Sequence, residues 1–387
     1  MYKIETEGLD ILSWCEDIED SALQQAKNLA MLPFAERHIA LMPDCHAGYG
    51  MPIGGVLAAR DVIVPNAVGV DIGCGVIACK TTIKDISDGD IKRAMSIIRK
   101  KIPVGFNHHE EDQEWDGFYD APDCYIVNKE LGSARKQLGT LGGGNHFIEI
   151  QRGEDGCIWV MIHSGSRNIG LKIAKWYSEL ADAMCKKWHS AIPTFNKQDS
   201  LAFFPVSSSE GNEYLECMDF ALYFASQNRR LMMDRCIESL IETDLEFATG
   251  EYLESVHNFA EFGWVNGDDC WVHRKGATSA FTDMIAIIPG SQGTASYIAR
   301  GLGNCKSFFS CSHGAGRKMS RAKARAILSL EEEKKKLDDL GIIHAIRTQK
   351  DLDEAPSAYK DIDEVMAAQS DLVEVVEKLI PIAVIKG

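Results

Sequence analysis

The sequence lacks several features that would assign it to a class of protein at once. No apolar run is long enough to cross a bilayer, and the best candidate, Leu379–Ile385, reads as a buried strand. The acidic start, MYKIETEGLD, does not have the basic-then-apolar pattern of a signal peptide. Neither a Gly-Lys-Ser/Thr phosphate loop nor the Lys-x-Asp-Gly motif of lysine-nucleophile ligases occurs. We therefore expect a cytoplasmic protein with no membrane partner.

Closely spaced cysteine pairs and a positive net charge are also absent. The 12 cysteines are scattered, with no Cys-x-x-Cys pair and no zinc-finger spacing, so we expect free thiols rather than a disulfide framework. The formal net charge is −16, which argues against non-specific binding to nucleic acid. A local basic groove on this acidic surface stays compatible with that charge, and it would restrict polyanion binding to one place.

What the chain does contain is a mixture of strand and helix patterns. Short apolar runs between glycine-rich turns predict strands through most of the first half, as in GVDIGCGVIACKTTI and CIWVMIHSG. Helical spacing predicts helices over 169–188, 214–242 and 320–340. These patterns predict the α+β class: a single large domain over residues 1–387, with a β-sheet core, helices packed around it and a helical subregion at about 170–260.

Metal-ligand side chains recur at strand ends and on glycine turns. They are Asp71 and Cys74 in VGVDIGCGV, His146 in LGGGNHFIEI, His163 in VMIHSGSR and His273 in WVHRKGAT. A single histidine at a strand end is more often an ordinary hydrogen-bonded residue, and a cysteine among glycines is usually a small apolar residue. The repetition favours a metal site, in which one thiolate could bridge two ions as two-metal phosphoryl transfer requires. Ligand softness alone favours zinc over manganese.

The stretch SCSHGAGRKMSR places His313 among glycines and follows it with Arg317 and Arg321. Glycines leave room for a close approach, and guanidinium groups match phosphate oxygens. The pattern indicates a phosphate-bearing ligand at His313, and the alternative of a glycine-rich turn with an ordinary histidine stays open. Further along, IPGSQGTASY offers hydroxyl groups on a glycine turn, and the ring of Tyr359 could stack on a base or simply pack.

Taken together, these motifs resemble the RtcB family of RNA ligases. The match runs in the family's order from PDCHAGYGMPIGG through VGVDIGCGV, GGGNHF, HSGSR, HRKGAT, PGSQGTASY, HGAGR and EAPSAYKD to the final Lys-Gly, and it covers nearly the whole chain. Each motif alone is weak, but so many in one order are specific. The sequence departs from the family pattern at Cys45, where a branched apolar residue is usual, and at Gln292, where methionine is usual.

The resemblance implies a GTP-dependent ligase that joins an RNA 3′-phosphate or 2′,3′-cyclic phosphate end to a 5′-hydroxyl end, in tRNA splicing or RNA repair. His313 would be the catalytic nucleophile that forms a covalent histidine–GMP, from which GMP passes to the RNA as RNA-(3′)pp(5′)G. Two manganese ions (Mn2+) would act in each active site, with GTP as the cosubstrate. An archease-type activator is an implied protein partner.

The same resemblance assigns the other site residues to three groups. The metal ligands would be Asp71, Cys74, His146, His163 and His273. The nucleotide-binding residues would be Asn145, Phe147, Glu149, Ser291, Ser296, Ala315, Gly316, Tyr359 and Lys386. The residues that bind the phosphates of RNA ends would be Arg167, Lys275, Arg317 and Arg321.

Two other classes of protein compete with the ligase interpretation. A dinuclear metal-dependent phosphoesterase acting on RNA ends would use the same metal ligands to activate water, but it needs neither a covalent histidine nor a base-stacking Tyr359. A catalytically silent RNA-binding protein would be expected to lose ligand side chains, whereas every ligand type is present here. The ligase interpretation therefore explains more of the sequence.

Overall fold

The apolar runs between glycine turns form strands in the computed structural model, which describes residues 1–190, 199–265 and 267–387. The strands are β1 (Tyr2–Ile4), β2 (Asp10–Ser13), β3 (Ala35–His46), β4 (Ile53–Ala59), β5 (Val62–Ile63), β6 (Gly75–Thr81), β7 (Phe147–Gly153), β8 (Ile158–Ser164), β9 (Phe204–Pro205), β10 (Thr249–Val256), β11 (Asn258–Val265), β12 (Asp268–Lys275), β13 (Ala277–Ser279), β14 (Ile285–Ile288), β15 (Ser296–Gly301), β16 (Ser310–Ser312) and β17 (Val373–Lys386). The helices are α1 (Asp20–Ala30), α2 (Pro65–Val68), α3 (Asp88–Lys101), α4 (Tyr125–Gln137), α5 (Arg167–Lys187), α6 (Ser209–Ile241), α7 (Arg321–Ile327), α8 (Leu330–Asp339) and α9 (Ile362–Ala368). The predicted α+β class is confirmed.

Two large sheets carry the fold. One has six strands in the order β1-β2-β3-β4-β12-β11, and the other has seven in the order β10-β6-β8-β7-β17-β15-β14. Neighbouring strands are antiparallel except for β2 and β3, which run parallel. The chain crosses from the seven-stranded sheet to the six-stranded sheet at His257, the single residue between β10 and β11.

The central strands of the seven-stranded sheet are buried on both faces. Because side chains alternate along a strand, β8 sends Ile158, Val160 and Ile162 into a cluster with residues of α3 and α6. Trp159 and Met161 pack on the opposite face, in a cluster that includes a leucine of α8. This two-sided burial explains why the sequence of β8 is a continuous apolar run rather than an alternating one.

The helical subregion is shorter than the predicted 170–260. The helices predicted over 169–188 and 214–242 are present as α5 and α6, but TGEYLESVHNFAEF forms β10 and β11 because its backbone pairs with β6 and β12. The helix predicted over 320–340 is divided into α7 and α8, because the hydroxyl of Ser329 caps the start of a new helix. Among the described residues, no helix combines the length and apolar character needed to cross a membrane.

Two buried polar residues in the middle of α6 hold three loops together. Asn228 accepts a hydrogen bond from the backbone N–H of Gly139 at 2.7 Å, and its amide donates to the hydroxyl of Ser164 at 3.2 Å. Arg229 donates to the carbonyl oxygens of Gly73, at 2.7 Å, and of Ser164, at 2.8 Å. One helix therefore fixes the loop before β6, the turn after α4 and the end of β8.

Replacing Asn228 with alanine should lower the free energy of unfolding by about 2–4 kcal/mol, because several buried backbone groups lose their hydrogen-bond partner at once. Urea unfolding measures this change. The matched control is Asn212→Ala on the exposed face of the same helix, where the amide contacts Glu216, and its effect should stay within about 0.5 kcal/mol. Equally small effects of both substitutions would contradict the role given to Asn228.

Candidate active site

An open cavity of about 1040 Å³ is lined by residues from both large sheets. Most of the predicted site residues belong to its lining: Asp71, Cys74, Asn145, Phe147, Glu149, His163, Lys275, Ser291, His313, Ala315, Gly316, Arg317, Arg321, Tyr359 and Lys386. The predicted residues outside the lining are His146, Arg167, His273 and Ser296. Segments distant in the sequence therefore meet around one cavity.

Cys74 lies at the centre of the polar residues in this cavity, on a tight turn that leads into β6. Gly73 makes the turn possible because its φ of +74° is a conformation that favours glycine, and the backbone N–H of Cys74 donates to the carbonyl of Asp71 at 3.1 Å. The Sγ atom of Cys74 is 3.2 Å from Nε2 of His163 and 3.5 Å from Nε2 of His146. The turn thus presents the thiol to two imidazoles from other strands.

Two overlapping groups of side chains around Cys74 can hold metal ions. Asp71, Cys74 and His146 form one group, and Cys74, His163 and His257 form the other. Within each group the ligand atoms lie within 4.8 Å of one another. Because Cys74 belongs to both groups, the arrangement suits a thiolate shared by two ions.

The protonation and orientation of the imidazoles also suit metal binding. Burial holds the pKa values of His163 and His257 well below the usual range, so both rings are neutral, which is the form that binds metals. The Nδ1 atom of His146 is 3.0 Å from the carbonyl oxygen of Leu141, and this contact turns Nε2 toward Asp71, at 3.0 Å. The residues present therefore fit a metal centre.

The structure places His257, rather than the predicted His273, beside Cys74. His273 lies within β12, fully buried, where its Nε2 accepts the backbone N–H of Val64 at 3.0 Å and its Nδ1 is 3.1 Å from the carbonyl of Trp271. Both ring nitrogens are engaged by the backbone, so the assignment of His273 to the metal centre is wrong. The sequence feature that could have indicated His257 is its position in the segment Val-His-Asn, between the end of β10 and the start of β11.

His313 lies next to this centre and is held by Asp44, a fully buried residue at the end of β3. Nδ1 of His313 is 2.6 Å from Oδ2 of Asp44, and the same oxygen accepts the backbone N–H groups of His313 and Gly314. Because the Asp44 oxygen also accepts the two backbone N–H groups, it acts as the acceptor for His313, and Nδ1 is the ring nitrogen that donates to it. The ring centroids of His313 and His257 are 4.7 Å apart. Sequence analysis missed Asp44 although it stands in the motif PDCHAGYG.

A buried carboxyl group, that of Glu149, forms another part of the cavity wall. The amide of Gln151 donates to Glu149 at 2.6 Å and to the hydroxyl of Ser296 at 3.0 Å. Burial raises the pKa of Glu149 to about 7. Ser296 is thus connected to the cavity through Gln151 rather than by lining it.

Glu354, which sequence analysis did not single out, organises four of the predicted residues. Its carboxylate is 2.9 Å from Nζ of Lys386, 3.2 Å from Arg321 and 3.4 Å from Arg317, and it accepts the hydroxyl of Tyr359. Burial alone would raise the pKa of Glu354, but Lys386 and Arg321 lower it to about 2. The ionised carboxylate therefore holds an aromatic ring and three cations at one side of the cavity.

The other two predicted RNA-binding residues have partners inside the protein. Nζ of Lys275 donates to the carbonyl oxygens of Asn66, at 3.0 Å, and of Tyr49, and burial lowers the pKa of Lys275 to about 7. Arg167 begins α5, and its Nε donates to the hydroxyl of Thr140 at 3.1 Å. Both side chains therefore support loops that surround the cavity.

Comparison with known proteins identifies the family of this chain. Residues 25–127 and 109–387 match the family model described as tRNA-splicing ligase RtcB. The chain is 37% identical to the RNA-splicing ligase RtcB of Escherichia coli, over 99% of this chain and 98% of the relative. This chain belongs to the RtcB family.

Other members of the RtcB family are nearly as similar. The tRNA-splicing ligase RtcB of Nanoarchaeum equitans is 34% identical over 95% of this chain and 92% of the relative, and that of Methanococcus maripaludis is 32% identical over 89% and 86%. The family predicted from the order of the motifs is therefore confirmed. Asp44, His257 and Glu354, which sequence analysis missed, lie within the region that matches the RtcB model.

Measurements of metal binding can show which of the two histidines, His257 or His273, is a metal ligand. His257→Ala should lower the metal affinity of the group formed with Cys74 and His163. Loss of an outer-shell partner lowers metal affinity roughly 10- to 100-fold, and loss of a direct ligand should lower it further. His273→Gln, which keeps an acceptor for Val64, should bind as much metal as the unchanged protein. Metal content after dialysis against manganese or zinc, measured by mass spectrometry, checks both. Loss of metal in His273→Gln alone would reverse the assignment.

The raised pKa of Glu149 predicts how stability depends on pH. The buried carboxyl binds a proton more tightly in the folded chain, so its contribution to stability is present at low pH and falls as pH rises from about 4.5 to about 7. Glu149→Gln removes this dependence. The free energy of unfolding of the variant, relative to the unchanged protein, should therefore grow by about 3 kcal/mol between pH 5 and pH 8. Urea unfolding at several pH values measures the difference, and a constant difference would contradict the prediction.

Proposed function

We propose that this RtcB protein is a GTP-dependent RNA ligase that joins 3′-phosphate or 2′,3′-cyclic phosphate ends to 5′-hydroxyl ends. The names of its relatives, RNA-splicing and tRNA-splicing ligase, support the reaction class. The observation that carries the proposal is the position of His313, oriented by Asp44, beside the ligand groups that share Cys74. A phosphoesterase that activates water needs no covalent histidine.

In the proposed first step, Nε2 of His313 attacks the α-phosphorus of GTP. The N–P bond forms, the bond from that phosphorus to the bridging oxygen breaks, and pyrophosphate leaves. Asp44 keeps the proton on Nδ1 and stabilises the positive charge that develops on the imidazole. The product is the covalent histidine–GMP.

The proposed second and third steps transfer GMP and then release it. An oxygen of the RNA 3′-phosphate attacks the phosphorus of histidine–GMP, the N–P bond breaks, and RNA-(3′)pp(5′)G forms. The RNA 5′-hydroxyl then attacks the 3′ phosphorus, GMP leaves, and a 3′,5′-phosphodiester remains. A cyclic phosphate end is first opened by water to the 3′-phosphate. Arg317 and Arg321 are the proposed contacts to the RNA-end phosphates, because both line the cavity beside His313.

Two manganese ions are part of the proposal. Asp71, Cys74 and His146 would hold one ion, and Cys74, His163 and His257 the other. When bound, the ions would supply positive charge against the phosphate oxygens. The preference for manganese comes from the family, since the softness of a thiolate and imidazoles alone favours zinc.

The proposed nucleotide pocket explains a preference for guanine. The Watson–Crick edge of guanine carries neighbouring N–H donors, which a carboxylate such as Glu149 can accept, whereas adenine presents a ring acceptor that would repel it. Tyr359 would stack on the base and Lys386 would contact its edge. The remaining proposed lining residues are Asn145, Phe147, Ser291, Ala315 and Gly316. Ser296 would act through Gln151.

Labelling with nucleotide tests the proposal directly. The purified protein is incubated with manganese and α-labelled GTP or ATP, beside His313→Ala and the control His344→Ala, whose ring contacts Asp338 away from the cavity. We expect a labelled protein band with GTP only, acid-labile and alkali-stable, present in the control and absent from His313→Ala.

Two other results of this labelling experiment would contradict the proposal. Phosphate release from RNA ends without labelled protein, under several metals, would favour the phosphoesterase. Label retained in His313→Ala would place the nucleophile on another residue. Adding an archease-type protein to the same assay tests the implied activator, and cytoplasmic location stays a prediction.

A further inference from the structure

Lys360 follows the proposed base-stacking Tyr359 but turns its side chain toward β3. Its Nζ atom donates to the carbonyl oxygens of Cys45, at 2.9 Å, and Pro43, at 3.2 Å, and it is 3.2 Å from the sulfur of Cys15. An ammonium group has three N–H donors. All three have an acceptor here, so this lysine is not available as a contact for phosphate.

The two carbonyl groups that Lys360 binds stand on either side of Asp44. In this part of β3 the pairing with β4 is irregular, with a register shift between Leu41 and His46. The backbone around Asp44 therefore receives hydrogen bonds from a lysine where the regular ladder is interrupted. Asp44 in turn fixes the imidazole of His313.

The backbone of Lys360 contacts the opposite side of the same assembly. Its N–H donates to the carbonyl of Gly316 at 3.0 Å, within the HGAGR motif. Gly316 has a φ of +70°, and a Cβ atom there would lie 2.3 Å from the carbonyl oxygen of Asp44. The two segments thus approach so closely that small displacements of one must move the other.

We propose that Lys360 is a positioning residue for the nucleophile: its ammonium fixes the backbone on both sides of Asp44 and so sets the orientation of His313. The inference rests on the proposed function, because it assigns Lys360 to the step in which His313 attacks GTP. A displacement of a reacting group by about 1 Å can lower a rate by about 100-fold. The effect should therefore appear in the maximal rate and not in the binding of GTP.

The test compares Lys360→Ala with Lys318→Ala, an exposed lysine near His313 that is not part of the cavity lining. In single-turnover guanylylation without RNA, Lys360→Ala should lower the maximal rate about 100-fold and change the half-saturating GTP concentration by less than about twofold. Propylammonium, which has three N–H donors, should restore at least about a tenth of the rate. Trimethylpropylammonium, which has the same charge and no N–H donor, should not, and Lys318→Ala should behave as the unchanged protein.

Other outcomes would overturn the assignment. A Lys360→Ala protein that labels at the full rate, or that is impaired only in GTP binding, would exclude the positioning role, and equal rescue by both amines would reduce that role to charge alone. If Lys360→Ala does not fold, Lys360→Met keeps the aliphatic stem and should show the same loss of rate.

A second readout separates this inference from the proposed function. Diethyl pyrocarbonate modifies accessible imidazole nitrogens without GTP, and mass spectrometry of the peptide that contains His313 follows the reaction. Lys360→Met should slow modification of His313 several-fold, because Asp44 no longer holds the ring in the position where its carboxylate supports the nucleophilicity of the imidazole, and an unchanged rate would refute the inference. If the unchanged protein forms no histidine–GMP while Lys360→Met still slows this modification, the proposed function fails and the role of Lys360 stands.

Discussion

The site depends on one constraint: the single thiol of Cys74 must be reached by three imidazoles that come from three separate segments. His146 comes from the start of β7, His163 from β8 and His257 from the crossing between the two large sheets. A buried thiol and three imidazole rings can lie within a few ångströms of one another only if the surrounding backbone holds them in place. The buried amide and guanidinium groups of α6 do this from one side, and the pairing of β6, β7 and β8 does it from the other.

The same principle extends from the candidate metal ligands to the proposed nucleophile and the proposed nucleotide pocket. Several of the side chains proposed to act in the cavity are held by a buried partner that does not itself react. Asp44 holds His313, Gln151 binds Glu149, and Glu354 gathers the cations and the aromatic ring. These partners are carboxyl or amide groups in a low-dielectric environment, where each hydrogen bond is stronger than in water and its loss is costly. The geometry of the site is therefore a property of the network rather than of any one residue.

Much of this could be predicted from the sequence, but not all of it. Continuous apolar runs and glycine turns predicted the strands, and motif order predicted the family, because these signals are local. The error over His273 and His257 has a physical cause: ligands from two different sheets have no characteristic spacing, and a histidine inside a strand looks the same in sequence as one at its end. Asp44 and Glu354 were missed because a buried carboxylate resembles an exposed one until its partners are known.

The crossing at His257 has a mechanical consequence. Only one residue separates β10 from β11, and one peptide link spans about 3.8 Å, so the chain has almost no slack where the two sheets meet. Any shear of one sheet against the other must pull on this residue, whose ring contacts both His163, a neighbour of Cys74, and His313, the proposed nucleophile. A change in the spacing between the two sheets would therefore move His257 and alter the contacts that its ring makes at the centre of the cavity.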